Sequence, residues 1–123
     1  MVNAWNRIKE LINKKQNILN ITTGIEYETG RIIDGKKEYG KRINCGKLPD
    51  TSTTTINTDL GNVNFLDYKG IAILNQYSYK MVAGKISNYS ISLAIENSQI
   101  KITTYISAYK EYTAYVELFY TKN

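Results

Sequence analysis

The stretch Thr113–Thr121, TAYVELFYT, has the clearest pattern of secondary structure in the sequence. Ala, Val, Leu and Tyr at even positions alternate with Tyr, Glu and Phe at odd positions, which is the period of two of a β-strand. Both sets are apolar or aromatic apart from Glu117, so burial of one face alone does not explain the pattern. The sequence therefore predicts a strand that is central in its sheet, or one whose second face meets another subunit.

The rest of the chain from Ile25 onward has the same short, β-branched, alternating character. The predicted strands are Glu26–Ile33, Lys37–Cys45, Thr53–Thr58, Gly70–Asn75, Tyr77–Val82, Tyr89–Ile95, Ile100–Ile106 and Thr113–Thr121. Asp34-Gly35 suits a two-residue type I′ hairpin turn, and Pro49 makes Gly46–Asp50 a loop. Phe65–Tyr79 is the least regular part. We predict a mainly β fold, an antiparallel β-sandwich or jelly roll of seven or eight strands, with a closed barrel as the alternative.

The first 22 residues follow a different period. Apolar residues recur there at spacings of three and four, which predicts an amphipathic helix N-capped by Asn3. The chain thus divides into a helix at 1–22, for oligomerisation or anchoring, and a β domain at 23–123. The residues assigned to that role are Trp5, Ile8, Leu11, Ile12, Ile18 and Leu19. These apolar residues form a stripe along one face of the helix. When the helix is divided into heptads, the stripe is short and Lys15 interrupts it. Its packing partner is therefore left open between the chain's own β domain, a copy of the helix, and another protein.

The composition excludes several classes of enzyme. The chain has 123 residues, no histidine and one cysteine, which removes Ser-His-Asp and Cys-His nucleophile systems and zinc sites built on histidine or several cysteines. We therefore predict no enzymatic activity, no catalytic residue, and no cofactor or metal. Cys45 is interpreted as a small buried hydrophobic residue. No apolar run is long enough to cross a bilayer, so we expect no membrane insertion and no secretion signal.

The acidic residues are interpreted as structural. Glu26, Glu28, Glu38 and Glu117 lie on predicted strands. Glu26 and Glu28 share a face two residues apart, which is also the pattern of a solvated strand face, so we expect no catalytic carboxylate pair. Asp59, Asn62, Asn64 and Asp67 lie close together but match no EF-hand spacing, so we interpret them as turn residues.

The charge gives weak evidence for a polyanionic partner. The net charge is +5, but the basic residues are scattered and nearly all are lysine, which favours solvated lysines over nucleic-acid binding. A small basic nucleic-acid-binding β domain is kept as an alternative.

Tyrosine is the residue in excess, with 11 in the chain. Tyrosine combines a large contact area with a polar tip, which suits recognition of proteins and carbohydrates. Cross-strand packing accounts for many of these side chains. The predicted exposed recognition surface is the loop Tyr109–Tyr112 before the last strand, with Tyr109, Tyr112 and Tyr115 as its residues.

Three stretches resemble a known family. TGRIIDGKKEY at Thr29–Tyr39, INCGKLPDT at Ile43–Thr51 and the ending Tyr120–Lys122 are similar to a β-sandwich domain that recurs in fibre and minor structural proteins of tailed bacteriophages. The similarity is good over Thr29–Asn62 and fair over Thr113–Lys122. Lys47 stands where the family usually has Ala, and Asp50 where it has Asn.

This resemblance implies a non-enzymatic virion structural protein, assembled in the host cytoplasm. A copy with its own N-terminal helix is similar to small head-fibre or capsid decoration proteins of gut phages such as the crAss-like phages. It implies a homotrimer, contact with other virion proteins of the capsid, fibre or baseplate, and adhesion to a host-surface or mucosal glycan. The alternative is a receptor-binding tip of a tail fibre or baseplate.

Overall fold

A computed structural model describes residues 3–15 and 19–123, and of residues 10–15 it describes the backbone. The elements are α1 (Ala4–Lys15), β1 (Tyr27–Ile33), β2 (Lys36–Lys47), β3 (Thr53–Asn57), β4 (Val63–Leu74), β5 (Tyr77–Lys80), β6 (Ile91–Glu96), β7 (Gln99–Thr104), the 3-10 helix Ser107–Tyr109, and β8 (Thr113–Lys122). Within the described residues no helix has both the length and the apolar character needed to cross a bilayer.

The strands form two antiparallel sheets. The larger has the order β1-β2-β8-β4-β5 and the smaller the order β3-β7-β6. The predicted mainly β chain, with seven or eight antiparallel strands after an N-terminal helix, is therefore confirmed. The predicted helix bounds of 1–22 are wrong, because α1 is described over Ala4–Lys15 and residues 19–22, including Leu19, are not helical. The predicted hairpin turn is confirmed too, because Asp34 and Gly35 between β1 and β2 have φ values of 50° and 79°.

Strand β8 lies at the centre of the larger sheet. It pairs with β2 from Thr113 to Thr121 and with β4 from Thr113 to Lys122. Its even-numbered residues from Ala114 to Tyr120 are at most 1% exposed, while Tyr115, Glu117 and Phe119 on the other face are half-buried. The central position predicted for this strand is thus observed.

One hydrophobic core contains residues of both sheets. Its buried members are Leu48, Ala72, Ile91, Leu93, Ile100, Ile102, Tyr109, Tyr112, Ala114, Val116, Leu118 and Tyr120. The segment after β5 connects the sheets: the Met81 amide donates to the Gly70 carbonyl of β4, and the Val82 amide donates to the Ile91 carbonyl of β6, both at 2.9 Å.

Strand β4 begins earlier than predicted. It starts at Val63, whereas the sequence pattern indicated Gly70. A register shift between Phe65 and Asp67 marks a β-bulge against β8. A bulge interrupts the alternation of faces, which is why this stretch has an irregular pattern.

Glu38 carries a buried carboxylate. Its side chain is only 2% exposed, because a bulge in β1 between Glu28 and Ile32 carries Arg31 over it. Arg31 Nε donates to Oε1 at 2.7 Å and Nη2 to Oε2 at 2.8 Å, and Thr29 Oγ1 donates to Oε1 at 2.8 Å. The bond from Arg31 lowers the pKa of Glu38; burial opposes this and the bond from Thr29 adds to it.

We expect Arg31→Met to lower the melting temperature by several degrees at pH 7, because it leaves a buried carboxylate without its cation. Lys37→Met is the matched control in the same hairpin, since it breaks only the exposed pair with Glu28 at 3.3 Å. Thermal unfolding followed by circular dichroism measures both.

The loss of stability in Arg31→Met should depend on pH, and the direction of that dependence follows from the pKa of Glu38. The folded pKa of Glu38 lies below its ordinary value of 4.5, so the contribution of the pair is present above that pH and is lost as the pH falls through the folded pKa. The deficit of Arg31→Met should therefore shrink under acid conditions. A deficit that stays constant down to pH 3 would show that lost packing is the cause.

A second test concerns the contact between β1 and β2 on the outer side of the larger sheet. The ring of Tyr27 lies directly over Gly40, where a Cβ would overlap it. We expect Gly40→Ala to reduce the free energy of unfolding by about 1–3 kcal/mol through overpacking. Gly61→Ala is the control, since its Cβ would meet no atom within 4 Å. Equal urea midpoints for the two variants would refute the steric explanation.

Candidate functional site

The three predicted recognition tyrosines lie in different places. Tyr109 and Tyr112 are 7% and 8% exposed and belong to the core, so the prediction that both are exposed is wrong. The Lys110 amide donates to the Ser107 carbonyl and the Tyr112 amide to the Tyr109 carbonyl. This tight turn leaves Lys110 and Glu111 at the surface, and the two rings are buried beneath it.

Tyr109 and Tyr112 are part of a larger set that we name the tyrosine cluster, comprising Tyr77, Tyr79, Tyr89, Tyr109 and Tyr112. The ring centroid of Tyr79 lies 5.6 Å from that of Tyr109 and from that of Tyr112, and those two are 5.7 Å apart. Tyr109 also donates its hydroxyl to the Tyr89 carbonyl at 2.8 Å. Burial, followed by the neighbouring Tyr79 and Tyr89, raises the pKa of Tyr109.

The exposed rings of this cluster were not singled out by the sequence. Tyr77, Tyr79 and Tyr89 are 55%, 43% and 74% exposed. Tyr77 and Tyr79 stand two residues apart on the same face of β5, and the backbone carbonyl of Tyr89 accepts from Tyr109, whose ring lies against that of Tyr79. Buried tyrosines thus support exposed ones. The spacing in β5 signals the shared face, but only the fold brings the backbone of Tyr89 to Tyr109.

Tyr115 lies elsewhere, on the outer face of the larger sheet. Across the strands, Arg42, Glu117 and Lys69 form one row, and Tyr115, Ile71 and Lys80 form the next. Arg42 Nη1 is 3.6 Å from Glu117 Oε1, and its guanidinium lies 4.6 Å from the centre of the Tyr115 ring.

These two rows border a depression of about 480 Å³, which we name the outer groove. Its lining includes Arg42, Lys69, Ile71, Ile73, Lys80, Met81, Tyr115 and Glu117. The groove could not be predicted from the sequence, because its side chains come from four strands or strand ends and only the strand register brings them together. Its volume lies within the range of small-ligand sites.

The helix presents its apolar stripe to solvent where the side chains are described. The predicted N-cap is confirmed by the bond from the Asn6 amide to Asn3 Oδ1 at 2.8 Å. Trp5 is 60% exposed, and Ile8 and Leu19 are each 47% exposed. Leu11 and Ile12 belong to α1, but their side chains lie outside the described part of the chain, as does all of Ile18.

The remaining acidic residues have structural partners. Glu26 accepts hydrogen bonds from the Tyr120 hydroxyl at 2.5 Å and from Lys122 Nζ at 2.8 Å. Burial raises the pKa of Glu26, but these two bonds outweigh it and the net shift is downward. Glu26 therefore fastens the segment before β1 to the end of β8.

The other groups considered for chemistry also have local explanations. The Asn57 side chain accepts from the Asp59 amide, as turn residues do. Asn64 and Asp67 lie in β4, so their interpretation as turn residues is wrong: Asn64 donates to Asn123, and Asp67 accepts from the Tyr68 amide beside the bulge. Cys45 is partly buried against the core, and burial raises the pKa of its thiol to about 11. Within the described ranges, no group of three or more His, Cys, Asp or Glu side chains is placed to hold a metal ion.

Comparison of the chain with protein-family models, with curated proteins and with solved structures gives no match. The function is therefore argued from the chain's own residues and their geometry.

We expect Tyr109→Phe to reduce the free energy of unfolding by about 1 kcal/mol, the usual net value of one hydrogen bond. Losing the bond to the Tyr89 carbonyl should also speed amide exchange at Ser90 and Ile91, which follow it. Tyr77→Phe removes an exposed hydroxyl from the same cluster and serves as the control. If exchange near Ser90 is unchanged in Tyr109→Phe, the buried tyrosines do not position Tyr89.

Proposed function

We propose that this protein is a non-enzymatic structural protein of a bacteriophage virion, a trimeric head-fibre or capsid decoration protein. In this proposal α1 assembles three chains, and the β domain forms a sandwich that is displayed outward for adhesion. The observation that carries the proposal is the exposure of Trp5 and Ile8 on one face of α1.

The exposed stripe supports assembly for an energetic reason. A helix of 12 residues is marginal in water without packing, because nucleation is costly and few hydrogen bonds follow it. Burying side chains such as those of Trp5 and Ile8 stabilises by about 25 cal/mol for each Å² removed from water. Of the α1 residues whose side chains the structure describes, residues 4–9, none forms or packs against the β core. A partner outside the chain's own core therefore suits the stripe, and the trimer follows from the resemblance to head-fibre proteins.

Two further observations support the remaining parts of the proposal. The single core shared by both sheets favours a sandwich for the β domain. The exposed rings of Tyr77, Tyr79 and Tyr89 favour adhesion, since tyrosine provides contact area at low entropic cost together with a hydroxyl.

A receptor-binding tip on a tail fibre or baseplate is the second candidate. The interruption of the heptads by Lys15 favours it, because a lysine at a core position weakens a self-associating coil. In that case α1 docks on another virion protein. The nucleic-acid alternative gains no support, since Arg31, Arg42, Lys37, Lys47, Lys101 and Lys122 all lie within 4 Å of carboxylates.

The oligomeric state tests the first candidate. We expect light scattering on the eluting full-length protein to give about three times the chain mass of 14.1 kDa. The double variant Ile8→Asp, Ile12→Asp should give the mass of one chain with an unchanged β-sheet circular dichroism spectrum, because it places two charges in the stripe.

The double variant Asn6→Asp, Asn13→Asp is the matched control. It adds the same charge on the polar face of the same helix and should leave the mass of the trimer unchanged. A wild-type monomer would refute the trimer and favour docking on another virion protein. Trimers in both variants would show that α1 is not the element that assembles the chains.

A further inference from the structure

The outer groove has a defined arrangement of charge. Arg42, Lys69 and Lys80 contribute three cations, and Glu117 contributes one carboxylate. Arg42 is paired with Glu117, whereas the ion pairs among the described residues involve neither Lys69 nor Lys80. Both lysines are exposed. The groove therefore offers two cations to a ligand that carries negative charge.

The register places these two lysines on one side of the groove. Lys69 lies on β4 opposite Glu117, and Lys80 lies on β5 opposite Ile71. Diagonal neighbours of this kind have Cα atoms about 7–8 Å apart. The Lys69 ammonium lies over the Phe119 ring, 5.4 Å from its centre. One carboxylate contacts both ammonium groups when the flexible Lys69 side chain turns from that ring toward Lys80.

The rest of the lining is apolar with one acceptor at its centre. Ile71, Ile73, Met81 and Tyr115 form the apolar part, which suits the C–H face of a sugar ring. Glu117 is held by Arg42 at 3.6 Å, and its carboxylate accepts hydrogen bonds from hydroxyls. The same carboxylate repels every anion, and it repels a phosphate, which carries up to two negative charges, more strongly than a singly charged carboxylate. The groove therefore favours a ligand with several hydroxyls and a single negative charge.

We propose that the outer groove binds a sugar that carries a carboxylate, a uronic or sialic acid residue. In this arrangement the carboxylate lies between Lys69 and Lys80, and ring hydroxyls donate to Glu117. Arg42 holds Glu117 in place and donates to a sugar oxygen. The choice of a sugar rests on the proposed adhesive role, whereas the charge and shape of the groove do not depend on α1 or on assembly.

The test uses the full-length protein and three small probes: sodium glucuronate, glucose and inorganic phosphate. We expect glucuronate to give saturable shifts in the amide resonances of Ile71, Tyr115 and Glu117. Lys69→Met and Lys80→Met should each weaken glucuronate binding about fivefold, as the loss of one exposed charge pair predicts. Lys47→Met removes an exposed lysine that pairs with Glu111 and should leave the affinity unchanged.

Each other outcome overturns the proposal in a different way. No shift with glucuronate shows that the groove does not bind acidic sugars. Equal shifts with glucose, which has no carboxylate, show that Lys69 and Lys80 do not contribute to sugar binding. Tighter binding of phosphate at the same amides makes the groove a simple anion site. Shifts at Tyr77, Tyr79 and Tyr89 place the sugar on the tyrosine cluster instead.

Light scattering on the same sample separates this proposal from the proposed function. A monomer that binds glucuronate refutes the trimer and supports the groove. A trimer that does not bind glucuronate supports the proposed assembly and refutes binding of an acidic sugar in the outer groove.

Discussion

Strand β8 is hydrogen-bonded to a neighbour on both of its edges, and this pairing aligns the three central strands of the larger sheet. Strands β2 and β4 are both hydrogen-bonded to β8. The residues of β2 and β4 directly opposite a β8 residue therefore place their side chains on the same face of the sheet as that residue. Val116 and Leu118 are fully buried, so a slip of one residue would expose them and bury Glu117. The hydrophobic pattern of one strand therefore fixes the register of three.

The same register determines where a ligand can meet the larger sheet. The inner face of β8 packs into the core that includes residues of β6 and β7, while its outer face carries Tyr115, Glu117 and Phe119 in half-buried positions. Those residues are too apolar for a plain solvated face, and cations cover two of the rings: Arg42 lies over Tyr115 and Lys69 over Phe119. Long basic side chains thus shield the outer aromatic rings in the isolated chain.

The parts of the fold that depend on local sequence were predictable, and those that depend on distant contacts were not. Alternation revealed β8, and local turn and cap chemistry revealed Asp34-Gly35 and Asn3. Glu38 was missed because its burial requires a bulge in another strand to carry Arg31 across it. The start of β4 was missed because a bulge breaks the alternation on which such predictions rely. Tyr109 and Tyr112 were misplaced because tyrosine is amphipathic, and its presence in a loop does not say which way the ring packs.

The chain enters the β domain at a defined point of the larger sheet. The Gly24 amide donates to the Arg42 carbonyl at 2.7 Å, so the segment that follows α1 joins the sheet beside one end of the outer groove. Lys69 and Lys80 line the groove on the far side of β8 from that point, since β4 and β5 follow β8 in the sheet order. The lysines of the groove therefore lie away from the point at which this segment enters the sheet. The tyrosine cluster adjoins the start of β8, where Tyr112 directly precedes the strand, so the two surfaces can be occupied separately.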